Sequence, residues 1–219
     1  MTGTIKRKGG PMDVSDALRR RRMVRSFDGA ALEADLVSSL FEDSLRAPTA
    51  GNSRGISWLL FSGSDEVASY FSVTTDAEWR ATSTRFEGLS RASAVGVCLA
   101  DPTLYTKRYS EDDKKSSGLG EHVAAWPVPY WIGDAGAASL AALLLAEARG
   151  LAACFLGAFR GIELLRDLSQ IPEGIEIYGS VLLGRPDGND HRSPSLDLPG
   201  PTRSERVHRA LFSPNPSAS

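Results

Sequence analysis

Arg19, Arg20, Arg21, Arg22 and Arg25 crowd one short stretch near the start of the chain. A guanidinium is a planar fork of donors that keeps its charge at any working pH and matches the geometry of a phosphate. Each charge-assisted hydrogen bond it makes contributes about 1.5–3 kcal/mol. The run Arg21-Arg22-Met23-Val24-Arg25-Ser26-Phe27 therefore has the chemistry to hold an anion. It equally fits the basic end of a helix, where arginines favour the macrodipole. No run of aromatic residues interleaves with it, which argues against a nucleic-acid surface.

Two other stretches have small residues that let backbone approach a flat ligand. In Ala47-Pro48-Thr49-Ala50-Gly51-Asn52-Ser53-Arg54, the Asn52 amide can both donate and accept, as a heterocycle with alternating donors and acceptors requires. In Leu151-Ala152-Ala153-Cys154-Phe155-Leu156-Gly157-Ala158-Phe159, Gly157 permits backbone that would present amides to a ligand edge. Taken singly, the first also reads as a helix-to-strand turn and the second as a short buried strand.

The elements that must position these stretches follow from periodicity. Asp13 or Ser15 can cap a helix running through Val14, Ala17 and Leu18 towards the arginines. Leu32, Leu36, Val37, Leu40, Phe41 and Leu45 recur at helical spacing and predict a helix over 32–46, ended by Ala47-Pro48. Residues 56–61, 94–100 and 175–183 read as strands, the last buried on both faces. Residues 65–71, 76–86 and 162–169 read as helices. A nearly all-apolar helix is expected over 135–149, capped by Asp134 and ended by Gly150. Between 94–100 and that helix, polar residues 110–120 and the proline-rich 126–130 are expected to form a mobile flap. Helices interspersed among few strands, without a βαβα rhythm, argue for an α+β fold: a central sheet covered by helices.

One domain over 12–184 is expected, preceded by a disordered polar arm over 1–11 and followed by an extended tail over 185–219 that dangles or wraps another subunit. The chain has 219 residues, 42% hydrophobic and 24% charged, with a net charge of -2, the balance of an ordinary globular protein. That balance does not point to nucleic acid or an anionic membrane surface. Cys98 and Cys154 lie in apolar runs and read as buried thiols, not as a disulfide framework or a metal site. No apolar segment follows Lys6-Arg7-Lys8, and 135–148 is short for a membrane span, so a soluble, cytoplasmic chain is expected.

In this order and spacing, the arginine run, the two small-residue stretches, the apolar helix and Leu183-Gly184-Arg185-Pro186 resemble the flavin-dependent nitroreductase family over roughly residues 13–186. The resemblance implies a central mixed β-sheet flanked by helices. It implies an intertwined homodimer with FMN between the subunits and the tail wrapped on the partner. Arg21, Arg22 and Arg25 would hold the phosphate and ribityl chain. Pro48, Thr49, Ala50 and Asn52 would line the flavin, with Asn52 on its pyrimidine side. Backbone at Phe155, Leu156 and Gly157 would approach the flavin N5 edge. A tail arginine, Arg203 or else Arg192, would reach the phosphate. Met23 stands where the family usually has serine, within the phosphate-binding stretch. Arg54-Gly55-Ile56 stands where many members have Gln-Pro-Trp; Arg54 would stabilise an anionic reduced flavin or point to solvent.

The expected reaction is hydride transfer from NAD(P)H to FMN, then reduction of a nitroaromatic, quinone or similar acceptor by ping-pong turnover. No Gly-x-Gly-x-x-Gly fingerprint supplies a separate nicotinamide domain; Gly118-Leu119-Gly120 lacks the strand–turn–helix context. No acid–base side chain is required. His122, His191 and His208 fall in loops or tail and read as surface residues, with His122 nearest the flap. Trp126, Tyr130 and Trp131 form either an aromatic pocket wall or core anchors. The alternatives are a flavin-dependent dehydrogenase or oxidase of a small natural product, and a non-catalytic flavin-binding or storage protein.

Overall fold

A computed structural model describes residues 12–191, 193–210 and 212. Four strands, β1 (Ile56–Ser62), β2 (Ala94–Ala100), β3 (Ala152–Gly157) and β4 (Glu176–Gly184), form one sheet in the order β1-β2-β4-β3. Every neighbouring pair is antiparallel, so the expected mixed sheet is corrected. The reason is topological. β2 and β3 run the same way, but β4 lies between them and hydrogen-bonds to both in the opposite sense. Among the described residues the parallel pairing is a single bridge, Met23 to Ala153, on the outer edge of β3.

Helices α1 (Val14–Arg20), α2 (Ala34–Ser44), α3 (Ser64–Thr74), α4 (Ala77–Thr82), α5 (Phe86–Ser90), α6 (Pro102–Tyr109), α7 (Tyr130–Ala148) and α8 (Ile162–Ser169) surround the sheet. On one face, Val37, Leu40 and Phe41 of α2 and Ala142, Leu143 and Ala146 of α7 pack on Ala94, Ala153, Val181 and Leu183. On the other, Val67, Tyr70 and Phe71 of α3, Leu89 of α5 and Leu165 of α8 pack on Val95, Val97, Cys154 and Leu182. β4 thus buries successive residues on opposite faces, which is why it reads as a continuous apolar run. Each fully buried valine, leucine or phenylalanine among them contributes about 1.5–3 kcal/mol.

Two helix expectations change. The segment 76–86 is two helices: Asp76 caps α4 by accepting from the Trp79 N–H at 2.6 Å, and the chain turns at Ser83 before α5 begins. Asp134 does not cap α7, which starts earlier, at Tyr130 after Pro129. At 19 residues, α7 is by length and composition apolar enough to cross a membrane, contrary to the shorter span expected. Here its Ala135, Ala138, Ala142 and Ala146 are buried, and small side chains bring it close against all four strands. Gly150, at φ 75°, ends it, with Leu151 donating back to the Ala146 carbonyl at 2.8 Å.

After β4, Pro186 bridges Phe27; from Pro194 onward every described residue is exposed. The arm 1–11 and Arg192 lie outside the described residues.

Candidate functional site

The arginine stretch lies on the open edge of β3. Beyond α1 the chain becomes extended at Arg21, then pairs with β3: Val24 donates to the Ala153 carbonyl at 3.0 Å, and the Phe155 N–H donates to the Met23 Sδ at 3.4 Å. The first and third candidate stretches are therefore direct neighbours. Met23 is half-buried and packs into both core faces, so its side chain belongs to the interior.

The arginines separate into distinct roles. Arg22 donates through Nη1 to the carbonyls of Arg19, Arg20 and Arg21 at 2.9–3.1 Å, which makes it a cap for the end of α1. Arg21 is different. Its Nη1 is buried and has no hydrogen-bond partner among the described residues. It lines a cavity of about 160 Å³ with Arg22, Glu147, Gly150, Ala152 and Ala153. A buried donor left unpaired costs about 1–3 kcal/mol, and more when charged. An anion in the cavity would remove that cost.

Arg25 is held by its surroundings: Nη1 donates to the Met23 carbonyl and its backbone N–H to Asp190 Oδ1, both at 3.0 Å. The turn after β4 supplies this support. Asp187 accepts from Ser26 Oγ at 2.7 Å and Arg91 Nη2 at 3.2 Å. The Asn189 backbone N–H and then the Ser26 hydroxyl hold its carboxyl below the usual range. The sequence reading missed this turn, whose only signal is Asp187-Gly188-Asn189-Asp190 beside a strand end.

The loop 47–54 has a strained backbone. Gly51 (φ 63°), Asn52 (φ 56°) and Arg54 (φ 56°) are all left-handed, which costs roughly 1–2 kcal/mol for a residue with a Cβ. Neighbours fix this shape. Ala50 N–H and the Tyr105 hydroxyl both donate to Asp134 Oδ2 at 2.8 Å. Arg108 Nε donates to the Gly51 carbonyl at 2.9 Å, and Arg54 N–H to Thr49 Oγ1 at 3.1 Å. A Cβ on Gly51 would lie 2.6 Å from the Tyr109 ring, and one on Gly55 2.4 Å from the Tyr105 ring. Tyr105, Arg108 and Tyr109 of α6 were not singled out from sequence, and nothing local marks them.

Pro48, Asn52 and Arg54 are exposed on this loop, and Arg54 Nε lies 3.5 Å from Asn52 Oδ1. Among the described residues, no hydrogen bond or ion pair joins the loop to 21–25. Between the two, the Tyr178 ring lies 5.5 Å from that of Phe155, and its hydroxyl faces Gly136 of α7.

The segment after α6 is anchored. Arg108 forks onto both oxygens of Asp113 at 2.7 Å. Trp126 is buried against Tyr105, Tyr109 and Trp131, and its Nε1 donates to the Leu119 carbonyl at 2.9 Å. Trp126 and Trp131 are thus core anchors, while Tyr130 is half exposed. His122, His191 and His208 are exposed. Arg203 is also exposed, beside the 3-10 turn Ser204–Arg206, and no hydrogen bond or ion pair among the described residues ties its side chain to the arginine stretch.

At the far end of β3, Leu156 and Gly157 border a second cavity, of about 300 Å³, walled by Tyr70, Phe71, Trp79 and Ile177. Burial pushes the Cys154 thiol up to about 11, opposed by the nearby positive charges of Arg25 and Arg85.

The nitroreductase family pattern matches residues 18–185, which include the arginine stretch, the strained loop and all four strands. The chain belongs to the nitroreductase family. This nitroreductase-family chain is 26% identical over 196 residues to a protein of Archaeoglobus fulgidus named provisionally as an NADH dehydrogenase/NAD(P)H nitroreductase, covering 86% of this chain and 92% of that one. Its fold matches a nitroreductase, so named provisionally, from Desulfovibrio desulfuricans solved in complex with FMN. The TM-score is 0.62 and the identity 20%, over 91% of this chain and 98% of that one. It also matches CLA-ER, an enone reductase of gut-bacterial fatty acid saturation metabolism. There the TM-score is 0.65 and the identity 15%, over 83% and 92% of the two chains. These two likenesses establish the α+β nitroreductase fold.

Proposed function

We propose that this protein is an FMN-dependent oxidoreductase in which NAD(P)H is the electron donor and a nitroaromatic, quinone or similar small molecule the acceptor, in ping-pong order. The observation that carries the reading is the buried Arg21 Nη1, without a partner among the described residues, in a cavity beside β3. A phosphate there satisfies the donor, and the extended stretch leads from it along β3 to Phe155, Leu156 and Gly157. When bound, FMN supplies the hydride chemistry. The residues supply anchoring and shape: Arg21 and Arg25 hold the phosphate and ribityl chain, and Arg22 keeps the turn by capping α1.

A homodimer completes the site in this reading. Thr49, Ala50 and Asn52 sit on a loop apart from the arginines of their own chain, and a second copy can bring that loop to the flavin. The exposed Leu196, Leu198, Val207 and Phe212 fit a tail that wraps the partner and carries Arg203 or Arg192 to the phosphate. Two buried thiols fit a cytoplasmic setting, with neither membrane nor nucleic acid as partner.

The test is the absorption spectrum of the purified protein, anaerobically, before and after NADPH. Expected is a flavin spectrum that NADPH bleaches and a nitroarene or quinone restores. Colourless protein that takes up no added FMN overturns the reading. Bound flavin that neither NADH nor NADPH bleaches redirects it to a dehydrogenase, an oxidase or a storage protein.

A further inference from the structure

We propose that the cavity of about 300 Å³ enclosed by α3, α4, α8 and the turn after β3 binds a small aromatic carboxylate. Its volume is at the lower end of ligand pockets, roughly 300–1,000 Å³, which limits the occupant to a ligand of one or two rings. The walls are Phe71, Trp79, Leu156, Phe159, Leu165 and Ile177. Flat aromatic walls select a flat apolar body. Phe159 is 89% exposed although its ring lies across Gly157, so it is an apolar face with room for a ligand to cover it.

Two polar features set the orientation. At the buried floor, the Tyr70 hydroxyl donates to Ser180 Oγ at 3.0 Å. Because Tyr70 is the donor in that bond, the Ser180 hydroxyl keeps its own proton to donate to a ligand oxygen. At the mouth, the Arg160 guanidinium lies 5.9 Å from the Trp79 ring centroid. Its ion pair with Asp76 is 4.0 Å long and exposed at both ends, 54% and 59%, which is the kind worth about 0–1 kcal/mol. A ligand carboxylate can displace it with a bidentate pair. Among the described residues, none that lines the cavity is acidic. The mouth is held firmly, because Gly161, at φ 62°, is packed so tightly that a Cβ there would lie 1.8 Å from the Val73 carbonyl oxygen.

The cavity borders Leu156 and Gly157, so the ligand held in it is the acceptor; that clause alone rests on the function proposed above. For a nitroarene acid the balanced step is nitro group plus NAD(P)H plus a proton, giving the nitroso compound, NAD(P)+ and water.

The experiment is calorimetric titration of the protein as purified with 4-nitrobenzoate and with its neutral counterpart 4-nitrobenzamide. The acid is expected to bind about tenfold tighter or better, the factor that 1.4 kcal/mol gives. Arg160→Gln is expected to erase the difference. Leu165→Trp, which fills the cavity, is expected to remove binding of both; should that variant melt early, Thr75→Trp at the wall replaces it. Equal affinities in the parent protein, discrimination that survives Arg160→Gln, or binding that survives the filled cavity overturns the proposal. Colourless protein that still prefers the acid retains this site and sinks the flavin reading. Yellow protein that reduces nitroarenes without the preference retains the function and sinks this site.

Discussion

Tyr105 donates its hydroxyl to Asp134 at 2.8 Å, and the carboxylate oxygen that accepts it is the one that holds the Ala50 N–H. A single atom on α7 thereby ties α6 to the strained loop that carries Asn52. Tyr105→Phe retains the ring packed on Gly55 but takes one donor from a half-buried carboxylate. The expected loss is about 1.5–3 kcal/mol, a melting temperature lower by several degrees for a chain of this size. FMN affinity is expected to fall too, since the loop loses its tether. Asp134→Ala, which frees both donors, should cost more in both measurements. A Tyr105→Phe protein with parental melting and parental flavin affinity contradicts the bracing role.

Stability is expected to fall on the alkaline side. Burial raises the thiols of Cys98 and Cys154 from 9.0 to about 12 and about 11, and raises Tyr70 and Tyr105 above 10.0. For Tyr105 the Asp134 carboxylate adds to that effect. Each group favours the fold in its protonated form. The contribution is complete below the unfolded values and is lost as pH climbs from about 9 through 11–12. Urea midpoints should hold between pH 7 and 9 and fall steeply above. A midpoint that does not change up to pH 11 rules this out. Both thiols should also resist alkylation at pH 8 until the protein is unfolded.

Legibility in the sequence followed the range of the interactions. Residues 94–100 read as a strand to the residue because the run is apolar throughout, and 162–169 and Gly150 were marked by local pattern and cap chemistry. Asp134 was misread because an aspartate before an alanine run has the form of a cap. Its partners, Ala50 and Tyr105, lie 84 and 29 residues away, and no local rule reports them. Tyr130 reads as flap because Pro127 and Pro129 precede it, although proline also opens helices. Sheet direction depended on β4 entering between β2 and β3, which strand periodicity does not encode.

Gly161 tests the turn at the end of β3. It is left-handed at φ 62°, and the modest left-handed strain of an alanine there, roughly 1–2 kcal/mol, would be joined by a clash with the Val73 carbonyl of α3. Gly161→Ala is therefore expected to destabilise by more than about 2 kcal/mol in urea unfolding. Gly174→Ala is the control: it shares a positive φ of 91°, but a Cβ there meets nothing within 4 Å among the described residues. Equal losses at the two positions would mean that the α3 contact carries no weight.

Arg21 and Arg22 are adjacent and identical in type, so the sequence offered no way to rank them. The structure gives Arg22 three backbone carbonyls and leaves a buried nitrogen of Arg21 without an acceptor among the described residues. The two alanine variants should therefore fail differently. Arg21→Ala is expected to weaken FMN binding about tenfold or more, the loss of a charge-assisted bond of about 1.5–3 kcal/mol. Riboflavin, which has no phosphate, should bind parent and variant alike. Arg22→Ala is expected to shorten or fray α1, at a cost of about 0.5–1.5 kcal/mol, with FMN affinity little changed. Fluorescence titration of the flavin-free protein with FMN and riboflavin, alongside urea unfolding, separates the two. Equal loss of FMN and riboflavin in Arg21→Ala would show that the buried guanidinium supports the fold and does not read the phosphate.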